Sequence, residues 1–322
     1  MKTKPRILIS RTLPESVLKR AHTDFDAVVR DSEIPMTAAE AAESMQNNDG
    51  VVPTLADEFT AEAFGAVSDM RCRIVANFGA GFNHIDVAAA KARGIVVTNT
   101  PGAVTEATAD IALSLILMTA RRTAEGDRLV RSGRWTGWHP TQMLGQHVTG
   151  RTLGIVGMGR IGRAIARRCH FGFGMQIVFA NRSRIDDPGV PARQLAGIES
   201  VFAEADIVAI AVSSGPESHH LIGREQLRHL KPHAILVNVS RGDILDEGAL
   251  VELLQSGAIA GAGLDVYEFE PKVPSDLLSM ENVVLLPHLG TSVLEVREGM
   301  GAMALDNLTT FFAGMEPPNP VN

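Results

Sequence analysis

The sequence predicts an α/β protein built from two doubly wound, parallel-sheet domains. Short apolar runs alternate with helical runs along most of the 322 residues, which is the pattern of parallel sheets covered by helices. Residues 153–162 join an apolar run to a glycine-spaced turn and then to a helical run. The chain is 45% hydrophobic and long enough to bury two cores. We therefore expect two Rossmann-like domains with an active site in the cleft between them.

The first hundred residues predict one domain. Strands are expected near residues 6–10, 50–52, 74–77 and 96–98, with helices between them. Thr37 and Glu40 form a capping-box pattern that predicts the start of one of these helices. The segment 99–102, Asn-Thr-Pro-Gly, marks a break, and a long apolar helix is predicted over 105–122.

The rest of the chain predicts a second domain inserted into the first. After a loop that contains both tryptophans, strands are expected at 153–156, 175–180, 207–212, 235–239, 263–266 and 283–286. Beyond Pro287 the pattern returns to helix. We expect residues 1–100 and 288–322 to form a substrate-binding domain, and residues 101–287 to form the inserted domain.

The glycine turn predicts a dinucleotide site. Gly157 permits a tight turn, Gly159 lets the backbone approach a pyrophosphate, and Gly162 lets the following helix pack against its strand. The amides of that helix would face the phosphates. Glycine-rich loops also occur as plain turns, but the flanking strand and the helical run 164–169 favour the dinucleotide.

The end of the next strand predicts which dinucleotide is bound. A site that prefers NAD places Asp or Glu there to bind the ribose hydroxyls, whereas this chain has Asn181, Arg182, Ser183 and Arg184. Two guanidiniums and a hydroxyl suit a 2′-phosphate, so we expect NADP, with NADPH preferred over NADH. The alternative is a solvated basic loop, because surface arginines are common.

Composition narrows the class of protein. The net charge of −7 and a pI near 5.8 offer no basic surface for nucleic acid or anionic membranes. The apolar stretch 111–118 is shorter than the ~20 residues that cross a bilayer, and residues 1–10 lack the apolar length of a signal peptide. Cys72 and Cys169 have no metal-site or redox spacing and fit a reducing compartment. We expect a cytoplasmic protein with no membrane or nucleic-acid partner and no metal.

Three polar residues follow the late strands, where ligands of open α/β sheets gather. They are Arg241, Glu270 and His288. A guanidinium can bind a carboxylate together with a neighbouring carbonyl oxygen. A carboxylate beside an imidazole fixes its tautomer and favours its charged form, which makes a proton donor. Taken singly, each residue could instead be a surface ion-pair member, a solvated loop residue or a turn residue.

Four motifs together resemble the D-isomer-specific 2-hydroxyacid dehydrogenases, and the resemblance covers nearly the whole chain. They are GMGRIG at 157–162, VSRGD at 239–243, GLDVYEFEP at 263–271 and PHLG at 287–290. Within this family the basic loop 181–184 and the short length look most like the NADPH-dependent glyoxylate/hydroxypyruvate reductases.

The resemblance implies roles for individual residues. Arg241 would bind the 2-keto acid, His288 would be the general acid/base, and Glu270 would orient it. The substrate-carboxylate loop would be residues 77–86, with Phe78 in it and an anion nest at the amides of Ala80 and Gly81. A glycine turn that ends a strand is the alternative, and Phe78 and Phe82 depart from the usual family sequence and alter the expected pocket.

Further cofactor residues follow from the resemblance. Thr108 and Asp265 match positions near the phosphates and the nicotinamide, although either could be a cap or strand-end residue. Trp138 resembles a residue that related reductases lend to the partner subunit's active site, with a core or interface tryptophan as the alternative. The expected cofactor set is completed by Met158, Arg160, Ile161, Val212, Val239 and Gly290.

The expected reaction is hydride transfer from NADPH to the C2 carbonyl of a small 2-keto acid, glyoxylate or hydroxypyruvate, to give the D-2-hydroxy acid. One alternative is another 2-keto acid of the same family, phenylpyruvate-like or branched, admitted by Phe78 and Phe82. Another is a non-catalytic, NADP-sensing protein similar to the co-repressors that share this fold. A homodimer is expected, because helix 105–122 and the tryptophan loop offer apolar area for a two-fold interface.

Overall fold

The structure, a computed structural model, describes residues 4–322 and divides into two units. One comprises residues 4–104 and Ser292–Asn322, and the other comprises Thr105–Thr291. The sequence had suggested boundaries after residues 100 and 287. His288 and Gly290 lie in the second unit, because Asp265 of that unit binds their backbone amides.

The first unit is a parallel sheet with helices. Its strands pair in the order β2-β1-β3-β4-β5, every neighbouring pair being parallel. The strands are β1 (Arg6–Ile9), β2 (Asp26–Val29), β3 (Gly50–Val52), β4 (Ile74–Ala76) and β5 (Val96–Thr98). Its helices are α1 (Glu15–Asp24), α2 (Ala38–Asn47), α3 (Ala61–Ala66), α4 (Val87–Ala92) and the C-terminal α12 (Leu294–Phe312).

The second unit holds a longer parallel sheet. Its strands are β6 (Thr152–Val156), β7 (Gln176–Ala180), β8 (Ala192–Gln194), β9 (Ile207–Ile210), β10 (Ile235–Asn238), β11 (Gly261–Leu264) and β12 (Val283–Leu285). They pair in the order β12-β11-β10-β9-β6-β7-β8. Its helices are α5 (Thr105–Ala120), α6 (Thr123–Arg131), α7 (Arg160–Phe173), α8 (Ile198–Glu204), α9 (Arg224–Leu227), α10 (Glu247–Gln255) and α11 (Ser275–Ser279).

The predicted fold class, with two parallel α/β sheets, is confirmed, and so is the capping box of α2. The Thr37 hydroxyl accepts the Glu40 amide at 3.3 Å, and the Glu40 carboxylate accepts the Thr37 amide at 2.9 Å. Strands β2 and β8 and helix α6 were not predicted. Both are short strands at sheet edges with no fully buried residue. The apolar run of β2 is only Ala-Val-Val, and β8 has none. Helix α6 has no buried residue, which is why its sequence resembles a loop.

The strand order of the second unit places a switch point between β6 and β9. The chain starts at β6, moves outward through β7 and β8, and then crosses to β9 on the other side. In open parallel sheets, ligands bind beyond the carboxyl ends of the strands at this point. The glycine turn follows β6 here, while Val212, Arg241 and Asp265 follow β9, β10 and β11.

The core of the second unit lies on both faces of this sheet. Apolar side chains of α5 and α7 cover one face, and those of α8, α9 and α10 cover the other. Among the helices of residues 4–322, none combines the length and apolarity needed to cross a membrane.

Gly154 in the middle of β6 lets α8 approach closely: a Cβ there would lie 2.6 Å from Cγ1 of Val201 and 2.7 Å from Cβ of Ala205.

We predict that Gly154→Ala destabilises the protein by about 1–3 kcal/mol, because the added methyl group overpacks a closed contact. Gly172→Ala is the matched control, since that glycine lies in α7 and no atom stands within 4 Å of its Cβ position. The control should gain roughly 0.5–1 kcal/mol from helix propensity. Denaturant unfolding of both variants tests the prediction, and equal effects would contradict it.

Candidate active site

The glycine turn after β6 packs against the backbone on two sides. Gly157 has a φ of 95°, in the region that favours glycine, and its amide donates to the Ala180 carbonyl at 2.9 Å. A Cβ at Gly157 would lie 2.7 Å from the Ala211 carbonyl oxygen, and one at Gly162 would lie 2.1 Å from the Gly157 oxygen. Neither glycine can therefore be replaced without moving backbone.

Gly159 has a different environment. It is the N-cap of α7, and no atom lies within 4 Å of where its Cβ would be. Met158 is buried beneath the turn, whereas Arg160 and Ile161 begin the exposed end of the helix. Open space beside the first amides of a fourteen-residue helix suits a pyrophosphate, because those amides and the helix dipole favour an anion. The turn therefore fits a dinucleotide.

The loop after β7 is joined to this turn by Asn181. Its Oδ1 accepts the Met158 amide at 3.1 Å, and its Nδ2 donates to the Ser183 carbonyl and hydroxyl at 3.0 and 3.1 Å. Asn181 and Ser183 thus order the loop where a dinucleotide's adenosine ribose would bind.

The two arginines of this loop both have acidic partners. Arg182 Nη1 lies 2.7 Å from the Glu217 carboxylate, with 90% and 82% of the two side chains exposed. Arg184 Nε lies 3.0 Å from Asp186 Oδ1, and these two side chains are exposed to a similar extent. Glu217 comes from the turn after β9, so the pair spans two segments at the carboxyl edge of the sheet. A ligand phosphate at this place would compete with Glu217 for Arg182.

His288 and Glu270 meet as the sequence suggested. His288 Nδ1 lies 2.9 Å from Glu270 Oε2, and the other carboxylate oxygen accepts the Tyr267 amide at 3.1 Å. About a quarter of each side chain is exposed, 24% for His288 and 29% for Glu270. A hydrogen bond from Nδ1 to the carboxylate leaves Nε2 as the nitrogen that can exchange a proton with a substrate.

The charge of Glu270 is maintained by its neighbours. Burial raises the pKa of this carboxyl, but the hydrogen bond and charge of His288 outweigh burial, and the Tyr267 amide and Arg241 add to them. The net pKa of Glu270 therefore lies below its usual value, and the carboxylate stays ionised beside the imidazole.

The backbone at His288 is unusual and is held by Asp265. His288 has a φ of 54°, a left-handed conformation that costs energy in a residue with a side chain. Its amide donates to the Asp265 carbonyl at 2.9 Å. The buried Asp265 carboxylate accepts the amides of Leu289 and Gly290 at 2.6 and 2.9 Å. Three bonds from one residue thus fix the segment that carries the imidazole.

Thr108 supports the same segment from α5, its hydroxyl donating to the Gly290 carbonyl at 3.2 Å. Burial raises the pKa of Asp265 above its usual value, and the Leu289 and Gly290 amides oppose this shift. The sequence placed Thr108, Asp265 and Gly290 near the cofactor. In the structure these three residues form one hydrogen-bonded cluster behind His288.

Arg241 lies in a turn that Asn238 orders. The side-chain Nδ2 of Asn238 donates to the Arg241 carbonyl at 2.9 Å, and its Oδ1 accepts the backbone amide of Ser240 at 3.0 Å. Burial lowers the pKa of Arg241, while the carboxylates of Glu270 and Asp243 oppose that shift. Because the usual pKa of arginine is so high, the guanidinium remains charged.

Gly242 explains why the Arg241 turn and the Glu270 segment come together. A Cβ at Gly242 would lie 1.8 Å from the carbonyl carbon of Tyr267 and 2.1 Å from the Glu268 nitrogen. The turn therefore rests directly on the Tyr267–Glu268 peptide. Arg241, Glu270 and His288 are thus brought to one edge of the sheet.

Of the remaining predicted residues of this unit, Val212 and Val239 follow β9 and β10 at the same edge, whereas Trp138 lies in the segment that precedes β6. Val239 is buried, and Val212, whose carbonyl accepts the Ser240 hydroxyl, is partly buried. Trp138 lies outside helices and strands with 78% of its surface exposed.

The predicted carboxylate loop belongs to the first unit. Asn77 Nδ2 donates to the carbonyls of Gly79 and Gly81, both at 2.9 Å, and Asn99 Nδ2 donates to the Ala80 carbonyl at 2.8 Å. Because peptide bonds are planar and trans, the amides of Ala80 and Gly81 point away from these asparagines. Phe78 is partly buried against the β1–β4 side of the core. An anion nest formed by these two amides stays a prediction.

Sequence reasoning missed Asn238 and Gly242. Asn238 could have been found from the sequence, because it is a polar residue at the end of an otherwise apolar strand. A buried side-chain amide needs hydrogen-bond partners, which predicts an ordering role for it. Gly242 stands in the VSRGD motif, but its packing role was missed, because its contact with Tyr267 joins segments about 25 residues apart and is visible only once the sheet order is known.

Comparison with known proteins identifies the family to which the chain is similar. The family model for the D-isomer specific 2-hydroxyacid dehydrogenase NAD-binding domain matches residues 113–290. A glyoxylate reductase of Korarchaeum cryptofilum is 46% identical over 99% of this chain and 96% of its own length. One from Pyrococcus furiosus is 42% identical with the same coverage.

Solved structures show the same likeness. An NADPH-dependent glyoxylate/hydroxypyruvate reductase of Sinorhizobium meliloti, in complex with NADP and malonate, has a TM-score of 0.88 and 36% identity. The match covers 99% of this chain and 97% of that one. A glyoxylate reductase of Paecilomyes thermophila has a TM-score of 0.87 and 30% identity, covering 100% and 99% of the two chains.

We predict that Asp265→Asn lowers turnover by about one to two orders of magnitude. The side-chain amide offers one acceptor oxygen and turns an NH2 group towards the Leu289 or Gly290 amide. The segment that carries His288 therefore loses a hydrogen bond to a charged group, worth roughly 1.5–3 kcal/mol. Steady-state kinetics provide the measurement.

Asp206→Asn is the matched control. Asp206 is also a paired carboxylate of this unit, but it contacts Lys231 and the Thr152 amide at the start of β6 and β9. The control should lose stability and keep its turnover number. A similar fall in turnover in both variants would show that the effect of Asp265→Asn is a general loss of structure.

Proposed function

Because this chain belongs to the D-isomer specific 2-hydroxyacid dehydrogenase family, we propose that it reduces glyoxylate and hydroxypyruvate with NADPH, giving the D-2-hydroxy acid. The observation that carries the proposal is the joint placement of Arg241, Glu270 and His288 at one sheet edge beside the glycine turn. The names of the archaeal relatives and of the Sinorhizobium meliloti reductase support the choice of substrates.

The protein residues divide the work between binding and proton transfer. When bound, the reduced nicotinamide supplies a hydride for C2 of the keto acid. Arg241 binds the substrate carboxylate and polarises the carbonyl, because its guanidinium offers two donors in one plane. His288, protonated at Nε2 and oriented by Glu270 at Nδ1, donates its proton to the developing alkoxide. In oxidation the same nitrogen accepts the proton.

Other residues are proposed to bind the two ligands. Gly157–Gly162 and the first turn of α7 hold the pyrophosphate, and the Ala80 and Gly81 amides are carboxylate ligands. Arg182 binds the 2′-phosphate, with Arg184, Asn181 and Ser183 completing the loop. Cys72 and Cys169 are buried free thiols, and burial raises both pKa values to about 12, which makes them unreactive. We place the enzyme in the reducing cytoplasm, where free cysteines are usual.

We predict that NADPH gives a higher kcat/KM than NADH with glyoxylate. Arg182→Ala should lower kcat/KM for NADPH by about 10- to 150-fold, the equivalent of a hydrogen bond to a charged group, and should leave NADH nearly unchanged. Glu217→Gln should act in the opposite direction, because it removes the carboxylate that competes for Arg182. Since the pair is exposed, its gain should stay within about fivefold.

Arg193→Ala is the control for surface charge, because Arg193 is also an exposed arginine paired with a glutamate, Glu204. It should change neither cofactor's kinetics. A panel of glyoxylate, hydroxypyruvate and phenylpyruvate measured with NADPH tests the substrate class. Equal efficiency of the unmodified enzyme with both cofactors would overturn the NADPH assignment, and a preference for phenylpyruvate would favour the aromatic substrate class.

The pair His288–Glu270 predicts the pH profile. Because the pKa of Glu270 is lowered, the pair persists as pH falls and is lost only below the usual titration range of glutamate. Turnover should therefore hold as pH falls through that range and drop only below it, where the carboxylate takes up a proton. Glu270→Gln has no carboxylate to titrate, so its turnover should be lower and this acid-side drop should be absent.

His288→Asn should lower turnover by about 10² to 10⁴ while NADPH still binds, because it removes the proton donor. Rate profiles across the pH range and a fluorescence titration with NADPH provide the measurements. An unchanged profile in Glu270→Gln would mean that the carboxylate does not act on the imidazole, and near-full activity of His288→Asn would refute the mechanism.

We also propose that the enzyme is a homodimer. Four large apolar side chains are exposed in α6 and in the segment between α6 and β6, which is the composition of an interface: Val130, Trp135, Trp138 and Leu144. Light scattering at assay concentration should give twice the 34.4 kDa of the chain. If Trp138 serves the partner's active site, Trp138→Ser should raise the KM for the keto acid with the mass unchanged. A fully active monomer would contradict the dimer.

A further inference from the structure

A cluster of two histidines and a glutamate lies outside the residues assigned to the reaction. His219 and His220 follow the short 3₁₀ turn Pro216–Ser218 after β9, and Glu268 follows β11. One ligand atom from each lies within 4.8 Å of the others. We propose that His219, His220 and Glu268 bind a divalent transition-metal cation that joins these two segments.

The donor atoms converge on one point. Nε2 of His220 lies 2.9 Å from Glu268 Oε1, and Nε2 of His219 lies 3.8 Å from the same oxygen. Ligands of a tetrahedral Zn²⁺, bound at about 2.0–2.2 Å, stand roughly 3.3 Å apart. The two imidazoles are stacked with centroids 4.1 Å apart. The His219 side chain is 59% exposed, so its ring has room to turn towards the other two ligands.

Two of the three ligands are held in place by the backbone. The His220 amide donates to the Asp243 carbonyl at 2.7 Å, and the Glu268 amide donates to the Glu247 carboxylate at 3.0 Å. The Glu268 side chain is only 14% exposed. Ligands that are already ordered lose little entropy on binding, so the cost of assembling the site falls mainly on His219.

The donor set selects the class of cation. Imidazole nitrogens suit Zn²⁺, Ni²⁺ and Cu²⁺, whereas Mg²⁺ and Ca²⁺ prefer oxygen ligands. A hydrogen-bonded His220–Glu268 pair alone explains the 2.9 Å contact. It does not explain why His219, too far for a hydrogen bond at 3.8 Å, directs a second nitrogen at the same oxygen.

The site would act on the structure around the reaction rather than on the reaction itself. The His219–His220 segment also carries Glu217, the partner of Arg182, and Glu268 is two residues from Glu270. A cation held by these ligands would fasten the turn after β9 to the segment that orients His288. Binding should therefore stabilise the folded protein, because the ligands assemble only in the native state.

Titration with Zn²⁺ in competition with a chromogenic chelator tests the proposal on the full-length protein. We expect about one Zn²⁺ to bind per chain. In His219→Gln its Kd should rise by at least roughly 10- to 100-fold, because that is the cost of losing a residue that only hydrogen-bonds to a metal ligand. Zn²⁺ should raise the Tm of the unmodified protein and should not raise that of His219→Gln. Excess Mg²⁺ should not displace it.

Two further variants make the result decisive. His229→Asn is the control, because His229 is an exposed histidine of the same unit outside the cluster. It should bind Zn²⁺ as the unmodified protein does. Glu268→Gln should weaken binding as His219→Gln does, and it replaces that variant if His219→Gln fails to fold. A Kd that is unchanged in both cluster variants, or no stoichiometric binding, would overturn the proposal.

Discussion

The buried carboxylate of Asp265 is the interaction on which the arrangement at the sheet edge depends. It follows β11 directly, so its position is set by the central strands rather than by a loop. Its carbonyl and both carboxylate oxygens bind the amides of three successive residues, 288–290. A charged acceptor with two amide donors is strong in a buried setting. That strength offsets the conformational cost of the positive φ at His288.

Close packing of backbone on backbone is the second constraint. Gly157 and Gly162 bring β6, the turn and α7 together, and Gly242 brings the Arg241 turn onto the Tyr267–Glu268 peptide. Each contact removes the space that a Cβ would need. The imidazole, the carboxylate and the guanidinium are therefore positioned by neighbouring strands, which makes their geometry a property of the sheet.

Much of this arrangement could be predicted from the sequence, for reasons visible in single residues. The turn at Gly157 follows a continuous apolar strand, and Arg241, Glu270 and His288 each follow another, so parallel pairing alone brings them to one edge. The pairing of Arg182 with Glu217 could not be predicted, because it joins turns after β7 and β9 across the switch point. Strand β8, Ala-Arg-Gln, has no apolar pattern at all, since an edge strand need not bury its side chains.

The two halves of the proposed cofactor site differ in how freely they can change. Any side chain at Gly157 or Gly162 would collide with backbone, so the residues at the pyrophosphate end cannot be substituted without disturbing the fold. Arg182 and Glu217 are almost fully exposed, and substitutions at such positions usually alter stability by less than about 0.5 kcal/mol. Ribose recognition can therefore drift during evolution at almost no cost to folding. Descendants of one such chain could diverge in which nicotinamide cofactor they draw on while keeping the same scaffold.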